Sequence, residues 1–109
     1  MTSKKAASDK RTTLPRKADL SRAFVRDWHR LSRSGRYDMN RLKEAMMLLV
    51  SADNALGPEW RDHALSGDWA DHRACHVGGD FLPIYRISSR GSDEEVVFVR
   101  AGTHAELFE

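Results

Sequence analysis

The stretch Asp80–Glu109, DFLPIYRISSRGSDEEVVFVRAGTHAELFE, contains two runs of strand-forming residues separated by a turn. The runs FLPIYRIS and EVVFVRA are rich in β-branched and aromatic residues, although Pro83 interrupts the first. The link SRGSDE has the composition of a turn. Two such runs with a short link predict a pair of antiparallel strands. Past the second strand, Ala101-Gly102-Thr103 leads to His104 and Phe108 at the end of the chain.

Upstream of this pair, the segment DHRACHV at 71–77 has a hydrophobic period of two, which indicates another strand. The segment GGD that follows is a turn, so three consecutive strands with short links predict an antiparallel meander. Alternate side chains would share a face of the new strand, with His72, Ala74 and His76 on one and Arg73, Cys75 and Val77 on the other.

Two helices are expected before the strands, because apolar residues recur there at helical spacing. Asp19 or Ser21 would cap the first helix and Gly35 would end it. Asp38 would cap the second, which runs to about Ala52. The apolar faces are Leu20, Phe24, Trp28 and Leu31 in the first helix, and Met39, Leu42, Ala45, Met46 and Leu49 in the second.

This order of elements predicts an α+β fold, in which an N-terminal αα-hairpin packs on an antiparallel sheet of three to four strands. The fourth strand would lie around Thr12–Pro15, at an edge because of Pro15. Residues 1–13 are polar and basic, and we expect a disordered tail or extension there, with one domain over 14–109. Residues 53–69 are expected to form an irregular loop.

Composition narrows the class of protein. The 109 residues include one cysteine and no apolar run long enough to span a membrane, and the N-terminus is too polar for a signal peptide. These features predict a cytoplasmic protein. The net charge of +2 hides a gradient, because residues 1–43 carry thirteen basic against four acidic groups. A basic stripe on the first helix could face a polyanion or simply be solvated: Arg22, Arg26, Arg30 and Arg33.

Histidines suggest two kinds of chemistry, a metal site or acid–base catalysis. His72 and His76 flank Cys75, but in a strand these two histidines would lie about 13 Å apart at about 3.3 Å per residue. One ion could not bind both, so we expect no metal and no cofactor. His29 is expected to be a surface residue of the first helix.

Acid–base chemistry fits the inventory better, because histidine exchanges protons near neutrality. Two such groups beside a phosphodiester can deprotonate a ribose 2′-OH and protonate the leaving oxygen. A nearby arginine would stabilise the charge of the transition state, and aromatic rings would stack a base. Phe81 could equally belong to the core, and Arg100 could pair with Glu94 or Glu95. The candidates are His63, His76, Asp80, Phe81, Arg100, His104 and Phe108.

Three segments together resemble the YafQ branch of the RelE-like bacterial toxins: MNRLKEAMMLLV, WRDHALSGDWADHRACHVGGDFLPIYRI and VFVRAGTHAELF. The resemblance covers about 15–109. It implies a microbial-RNase-like α+β fold and a toxin of a type II toxin–antitoxin pair. The implied activity is metal-independent cleavage of mRNA in the A site of a translating 70S ribosome. Implied partners are a cognate antitoxin and the ribosome with its mRNA and 16S rRNA, with no role at a membrane.

By motif, the resemblance also assigns roles to residues of this chain. His63, His76 and His104 match acid–base histidines, and Asp80 matches an active-site aspartate. Arg100 matches the arginine that holds the scissile phosphate. Phe108 matches an aromatic that helps to place the substrate, and Phe81 stands where these toxins carry tryptophan. Under this reading the basic stripe would contact ribosomal RNA.

Three other functions share part of this evidence. A ParE-like gyrase poison has the same architecture without the nuclease residues. A catalytically silent binding module would act only through its antitoxin, and a housekeeping ribosome-associated protein would have no toxin activity. Cleavage of mRNA in frame with translation separates the nuclease from all three.

Overall fold

The structure is a computed structural model, and it describes residues 15–51, 56–91 and 93–109. The α+β fold is confirmed, and these residues form three helices and one five-stranded sheet. The predicted tail at 1–13 lies outside the described residues. The helices are α1 (Arg22–Ser34), α2 (Met39–Ser51) and α3 (His104–Phe108). The strands are β1 (Lys17–Leu20), β2 (His63–Ala64), β3 (Arg73–Ala74), β4 (Phe81–Arg90) and β5 (Asp93–Thr103), in the spatial order β1-β5-β4-β3-β2.

The hairpin of β4 and β5 is the centre of the sheet, as its strand-forming runs predicted. Its antiparallel register runs from Phe81 opposite Thr103 to Arg90 opposite Asp93. A bulge interrupts the register at Ile84 and Tyr85, where Val99 of the partner strand is skipped. The predicted meander is also confirmed, since β3 pairs antiparallel with β4.

The strand expected over 71–77 is much shorter than predicted, because β3 contains only Arg73 and Ala74. The expected alternation also fails, since the adjacent Ala74 and Cys75 are both fully buried. The chain turns after Ala74, and the amide of His76 donates to the carbonyl of Trp60 at 2.6 Å. His72 and His76 are therefore not held on one strand face.

The N-terminal strand lies later than expected and makes the sheet mixed. Lys17–Leu20 pairs parallel with β5, whereas an antiparallel sheet of three to four strands was predicted. Thr12–Leu14 lie outside the described residues, and Pro15 is not in the strand. Arg16 fixes the approach to β1, because its amide donates to the carbonyl of Val50 and its guanidinium to that of Leu49. Leu20, expected on the apolar face of the first helix, is instead a half-exposed residue of β1.

The helix boundaries follow the predicted signals. The hydroxyl of Ser21 accepts from the amide of Phe24 at 3.0 Å and caps α1, and Gly35 ends it at φ 70°. The carboxylate of Asp38 accepts from the amide of Arg41 at 2.9 Å at the start of α2. His29 is exposed, as expected. None of the described helices is long and apolar enough to cross a membrane.

The sheet has a separate apolar cluster on each face. The larger cluster joins α1 and α2 to the sheet through side chains such as Phe24, Leu42, Tyr85 and Phe98. The smaller one covers the opposite face: Ala74, Leu82, Ile84 and Leu107, flanked by Leu65, Trp69, Val99 and Phe108. The short helix α3 packs on this second face.

An irregular loop was expected over 53–69, and the part of it that the structure describes, residues 56–69, is more ordered than that. It contains two 3₁₀ turns, Pro58–Trp60 and Gly67–Trp69, with β2 between them. Trp60 is 2 % exposed, and the guanidinium carbon of Arg41 lies 3.8 Å from the centre of its ring. A buried tryptophan with a stacked cation anchors this segment to the larger cluster.

Candidate active site

Three of the expected catalytic histidines line one pocket of about 430 Å³. The pocket lies beside the smaller apolar cluster, because Leu65, Leu82 and Phe108 belong to both. Four parts of the fold supply its walls, namely β2 with the two residues after it, the link between β3 and β4, β4 itself, and α3. The lining residues are His63, Ala64, Leu65, Ser66, His76, Leu82, His104 and Phe108.

The aromatic and histidine rings that line this pocket form two close pairs. The ring centres of His63 and His76 are 5.7 Å apart, and those of His104 and Phe108 are 4.8 Å apart. His63 and His104 are exposed, while His76 is half-buried. The pocket is thus an open site with several proton-exchanging groups and one aromatic face.

Backbone carbonyls define which nitrogen of two rings is free. Nδ1 of His63 lies 2.9 Å from the carbonyl oxygen of Arg61, and Nδ1 of His76 lies 3.4 Å from that of Gly79. A carbonyl oxygen only accepts, so these contacts are hydrogen bonds when Nδ1 carries the ring proton. In the neutral ring, Nε2 then carries the lone pair that can accept a proton.

His104 is held at the first position of α3 by its neighbours. The hydroxyl of Thr103 accepts from the amide of Glu106 at 3.2 Å, and the Glu106 carboxylate accepts from the amide of Thr103 at 2.9 Å. This reciprocal pair is a capping box. It stabilises a helix of five residues that would otherwise be marginal.

Asp80 contacts the backbone of His104 and does not line the pocket. The amide of His104 donates to the carbonyl oxygen of Asp80 at 3.0 Å and lies 3.3 Å from its carboxylate Oδ1. The exposed carboxylate of Asp80 is therefore adjacent to the start of α3, where it helps to place His104.

Arg100 is not brought into the pocket. Its Nε lies 2.7 Å from Oδ2 of Asp27 and its Nη2 lies 3.2 Å from Oδ1, so the two side chains form a bidentate pair. Asp27 is only 5 % exposed, and it also accepts from the amide of Ala101 at 3.0 Å. The alternative pairing of Arg100 with Glu94 or Glu95 is not found, since Arg100 pairs with Asp27 and Glu94 with Arg16. The geometry therefore gives no support to the expected phosphate contact of Arg100.

Phe81 is a core residue, as one of its two sequence interpretations allowed. It is 4 % exposed and belongs to the larger cluster, where its ring centre lies 4.9 Å from that of Tyr37. The neighbouring Leu82 faces the pocket, because adjacent strand residues point to opposite faces. The expectation that Phe81 contacts substrate is thus not supported.

The basic stripe of α1 divides into two kinds of residue. Arg22, Arg26 and Arg33 are exposed. Arg30 is engaged within the chain, with Nη1 2.9 Å from Oε2 of Glu106 and Nη2 3.4 Å from Oδ1 of Asp27. Arg30 consequently links α1 to the helix that carries His104.

The sequence interpretation missed a second polar cluster, which we call the Asp62 cluster: Asp62, Arg73 and Tyr85. The hydroxyl of Tyr85 donates to Oδ1 of Asp62, and Arg73 donates to Oδ2 from Nε at 3.0 Å and from Nη2 at 2.7 Å. Burial, strengthened by the bond to Asp62, raises the pKa of Tyr85, so the phenol keeps its proton at neutral pH. No spacing in the sequence signals this cluster, because its members come from separate elements.

No group of three or more histidine, cysteine or acidic side chains within 15–51, 56–91 and 93–109 is arranged to hold a metal ion. His72, for which no role was expected, packs against Trp69, and the centres of the two rings are 5.2 Å apart. The ring of His76 instead faces His63.

Comparisons with known proteins agree with this architecture. The mRNA interferase toxin YafQ of Escherichia coli BL21(DE3) is 35 % identical over 95 residues, which are 87 % of this chain and 98 % of that protein. The structure of the E. coli DinJ–YafQ toxin–antitoxin complex superposes with a TM-score of 0.75 and 33 % identity, over 88 % of this chain and all of that chain. A metal-bound toxin from Helicobacter pylori gives a TM-score of 0.72 and 32 % identity, over 84 % of this chain and 98 % of that chain.

A family model describes the same relationship. The model of the bacterial toxin YafQ of type II toxin–antitoxin systems matches residues 16–109, which include every element of the described structure. The chain therefore belongs to the YafQ family of type II toxins.

Proposed function

We propose that this chain is a toxin that cuts mRNA in the A site of the translating ribosome, by acid–base catalysis in the pocket of His63, His76 and His104. The observation that carries the proposal is the meeting of these three rings with Phe108 in one open pocket. Membership of the YafQ family supports it, because a curated relative is named an mRNA interferase toxin. The site of action is then the cytoplasm, where ribosomes translate.

The chemistry follows from what the side chains can exchange. One neutral imidazole takes the proton of the ribose 2′-OH, which then attacks the adjacent phosphorus. A second, protonated imidazole gives a proton to the 5′-oxygen as its bond to phosphorus breaks. His63 suits the first role, since its Nδ1 is bonded to a carbonyl and its Nε2 is free. We assign the second role to His104, the other exposed histidine that lines the pocket.

Phe108 would contribute orientation rather than proton transfer. Its half-buried ring packs beside His104, so one face can stack on a base of the substrate. Asp80 would hold His104 in place through the backbone contact described above. In this proposal the acid–base groups carry the reaction without a metal.

The proposed partners are the ribosome and an antitoxin. A related toxin is solved as the DinJ–YafQ complex, so we expect a cognate antitoxin to bind this chain and suppress cleavage. Ribosomal RNA would be contacted by the exposed arginines of α1, which place three positive charges on one helix.

Primer extension on a defined mRNA in a reconstituted translation reaction tests the proposal. Cuts locked to the reading frame are expected for the wild-type chain and should fall by about 10²–10⁴-fold for His104→Ala. His72→Ala is the matched control, because that histidine lies against Trp69 outside the pocket. Its cleavage should equal that of the wild type.

Three further assays test the dependence on ribosomes, the absence of a metal from the reaction, and the alternative function of a gyrase poison. Naked mRNA without ribosomes tests the dependence on translation. A transition-metal chelator, added with Mg²⁺ in excess to keep ribosomes intact, tests the absence of a metal from the reaction. If translation yields no cuts while the same protein blocks DNA supercoiling by gyrase, the nuclease proposal is wrong.

A further inference from the structure

The strand that carries His63 has little backbone support of its own. β2 contains two residues, and within the described sheet it pairs only with the two residues of β3 and lies at the edge. Both of its residues are exposed. A ladder of this length does not by itself hold a side chain in one orientation. Other contacts must therefore fix the position of His63.

The two residues that flank Arg61, Trp60 and Asp62, are both held by contacts with other parts of the fold. On one side, Trp60 is buried and its carbonyl accepts from the amide of His76. On the other side, the carboxylate of Asp62 is tied to Tyr85 of the central strand β4 and to Arg73 of β3. Between them Arg61 has φ 51°, the left-handed region that a residue with a side chain rarely adopts.

This arrangement determines the direction of a single carbonyl group. The carbonyl of Arg61 belongs to the peptide bond that joins Arg61 to Asp62, and it accepts from Nδ1 of His63 at 2.9 Å. The bonds of its carboxylate to Tyr85 and Arg73 hold Asp62 at one end of that peptide, and displacing Asp62 would break them. Tyr85 is 1 % exposed, so its hydroxyl would lose its partner in the core.

We propose that Asp62, anchored by Tyr85 and Arg73, is a positioning residue that holds His63 in the Nδ1-protonated tautomer and so keeps Nε2 free to accept the substrate proton. The catalytic part of this proposal rests on the proposed nuclease function. The tautomer itself is a property of the free protein and is measured without ribosomes.

His72 provides an internal comparison in the same molecule. Its Nδ1 lies 3.0 Å from the carbonyl oxygen of Ala70, which is the same kind of bond over the same separation in sequence. The Asp62 cluster does not include this peptide. Changes to the cluster should therefore alter the His63 ring and leave the His72 ring as it is.

The first experiment is a long-range ¹H–¹⁵N correlation spectrum of the chain labelled with ¹⁵N-histidine. It is recorded at about pH 8, where an ordinary imidazole with a pKa of about 6.5 is mostly neutral. His63 is expected in the Nδ1-protonated form in the wild type, and its signals are assigned with His63→Gln. Asp62→Asn and Tyr85→Phe should move the His63 signals toward a mixture of tautomers. Asp68→Asn, an exposed acid of the same segment, is the control and should change nothing.

The second experiment measures single-turnover cleavage in reconstituted translation with the same variants. Tyr85→Phe removes one oxygen atom and keeps the ring in the core, so it is expected to fold. It should cut roughly tenfold to hundredfold more slowly, with unchanged affinity for the ribosome. A variant that merely loosens the fold would lose ribosome binding together with the rate.

Each outcome decides the proposal. It is overturned if His63 is Nε2-protonated in the wild type, or if neither variant changes its tautomer. It is also overturned in its catalytic part if the tautomer shifts while the folded variants cut at the wild-type rate. If the wild-type chain makes no cuts, the nuclease function fails, and the tautomer comparison still decides whether Asp62 positions His63.

Discussion

The guanidinium of Arg100 and the carboxylate of Asp27 form a bidentate ion pair, with 2.7 Å between Nε and Oδ2 and 3.2 Å between Nη2 and Oδ1. The pair joins the middle of α1 to β5 just before the segment that carries His104. Asp27 lies three residues after Phe24 and four before Leu31, so it sits on the buried face of α1. A charged residue in that position needs its partners, because an unpaired buried carboxylate is costly.

Asp27→Asn should therefore destabilise the fold substantially. Removing one partner of a buried ion pair costs about 3–5 kcal/mol, and the partial exposure of Arg100 puts the expected loss at about 3 kcal/mol, the lower end of that range. Urea unfolding measures the free energy of unfolding directly. Asp19→Asn, at an exposed acid of β1, is the control and should stay within about 0.5 kcal/mol of the wild type. Equal stability of the two variants would contradict this account of Asp27.

The same pair should make stability depend on pH. Burial acts to raise the pKa of Asp27, but the bonds from Arg100, Ala101 and Arg30 outweigh it and hold the pKa below its ordinary 3.8. The unfolded chain therefore binds this proton at a higher pH than the folded chain does. The contribution of Asp27 is complete above its unfolded pKa and is lost as the pH falls through the lower folded value. Urea unfolding at about pH 7 and about pH 3 should show the gap between wild type and Asp27→Asn narrowing at the lower pH.

Two phenylalanines near the site should behave differently when changed. Phe81 lies in the core, so Phe81→Ala should cost about 3–5 kcal/mol of folding stability. The smaller change Phe81→Leu should still allow cleavage by the folded protein. Phe108→Ala should instead lower the cleavage rate with a smaller loss of stability, since that ring is half-buried and lines the pocket. Thermal unfolding and primer extension on the same samples separate the two effects. A stable Phe81→Leu chain that fails to cut would show that Phe81 does contact substrate.

The elements of this fold could be predicted where local chemistry decides the structure. Ser21, Gly35 and Asp38 mark the helix ends through their own side chains or backbone freedom, and the sequence shows all three. The parallel pairing of β1 with β5 could not be predicted from local sequence signals of this kind. It depends on contacts of Arg16 with residues some 33 and 78 positions away.

Some features of the candidate site could likewise be predicted from the sequence, whereas others depend on tertiary packing. The histidines of the pocket were found from their residue type and motif, and a Thr-x-x-Glu pattern at Thr103–Glu106 could have revealed the cap of α3. The motif alone did not decide the surroundings of Arg100 and Phe81. Arg100 pairs with the buried Asp27, and Phe81 packs in the core, which was one of its two sequence interpretations. Those features depend on packing between distant segments, which no single stretch of sequence contains.

The exposed arginines of α1 give a final prediction, about binding rather than chemistry. If Arg22, Arg26 and Arg33 contact ribosomal RNA phosphates, changing all three to Ala should weaken ribosome binding. It should also reduce the slope of log affinity against log salt by up to about one for each lost contact. Sedimentation with purified ribosomes at several salt concentrations measures both quantities.

Two variants provide controls for this measurement, one at Arg30 and one at a pair of arginines on β4. Arg30→Ala should lower stability and cleavage with little change in the salt slope, because its guanidinium is bonded to Glu106 and Asp27. Arg86 and Arg90 are exposed on β4, and changing both to Ala removes two positive charges from an element other than α1. An equal fall in affinity for that pair would mean that net charge, rather than the face of α1, governs ribosome binding.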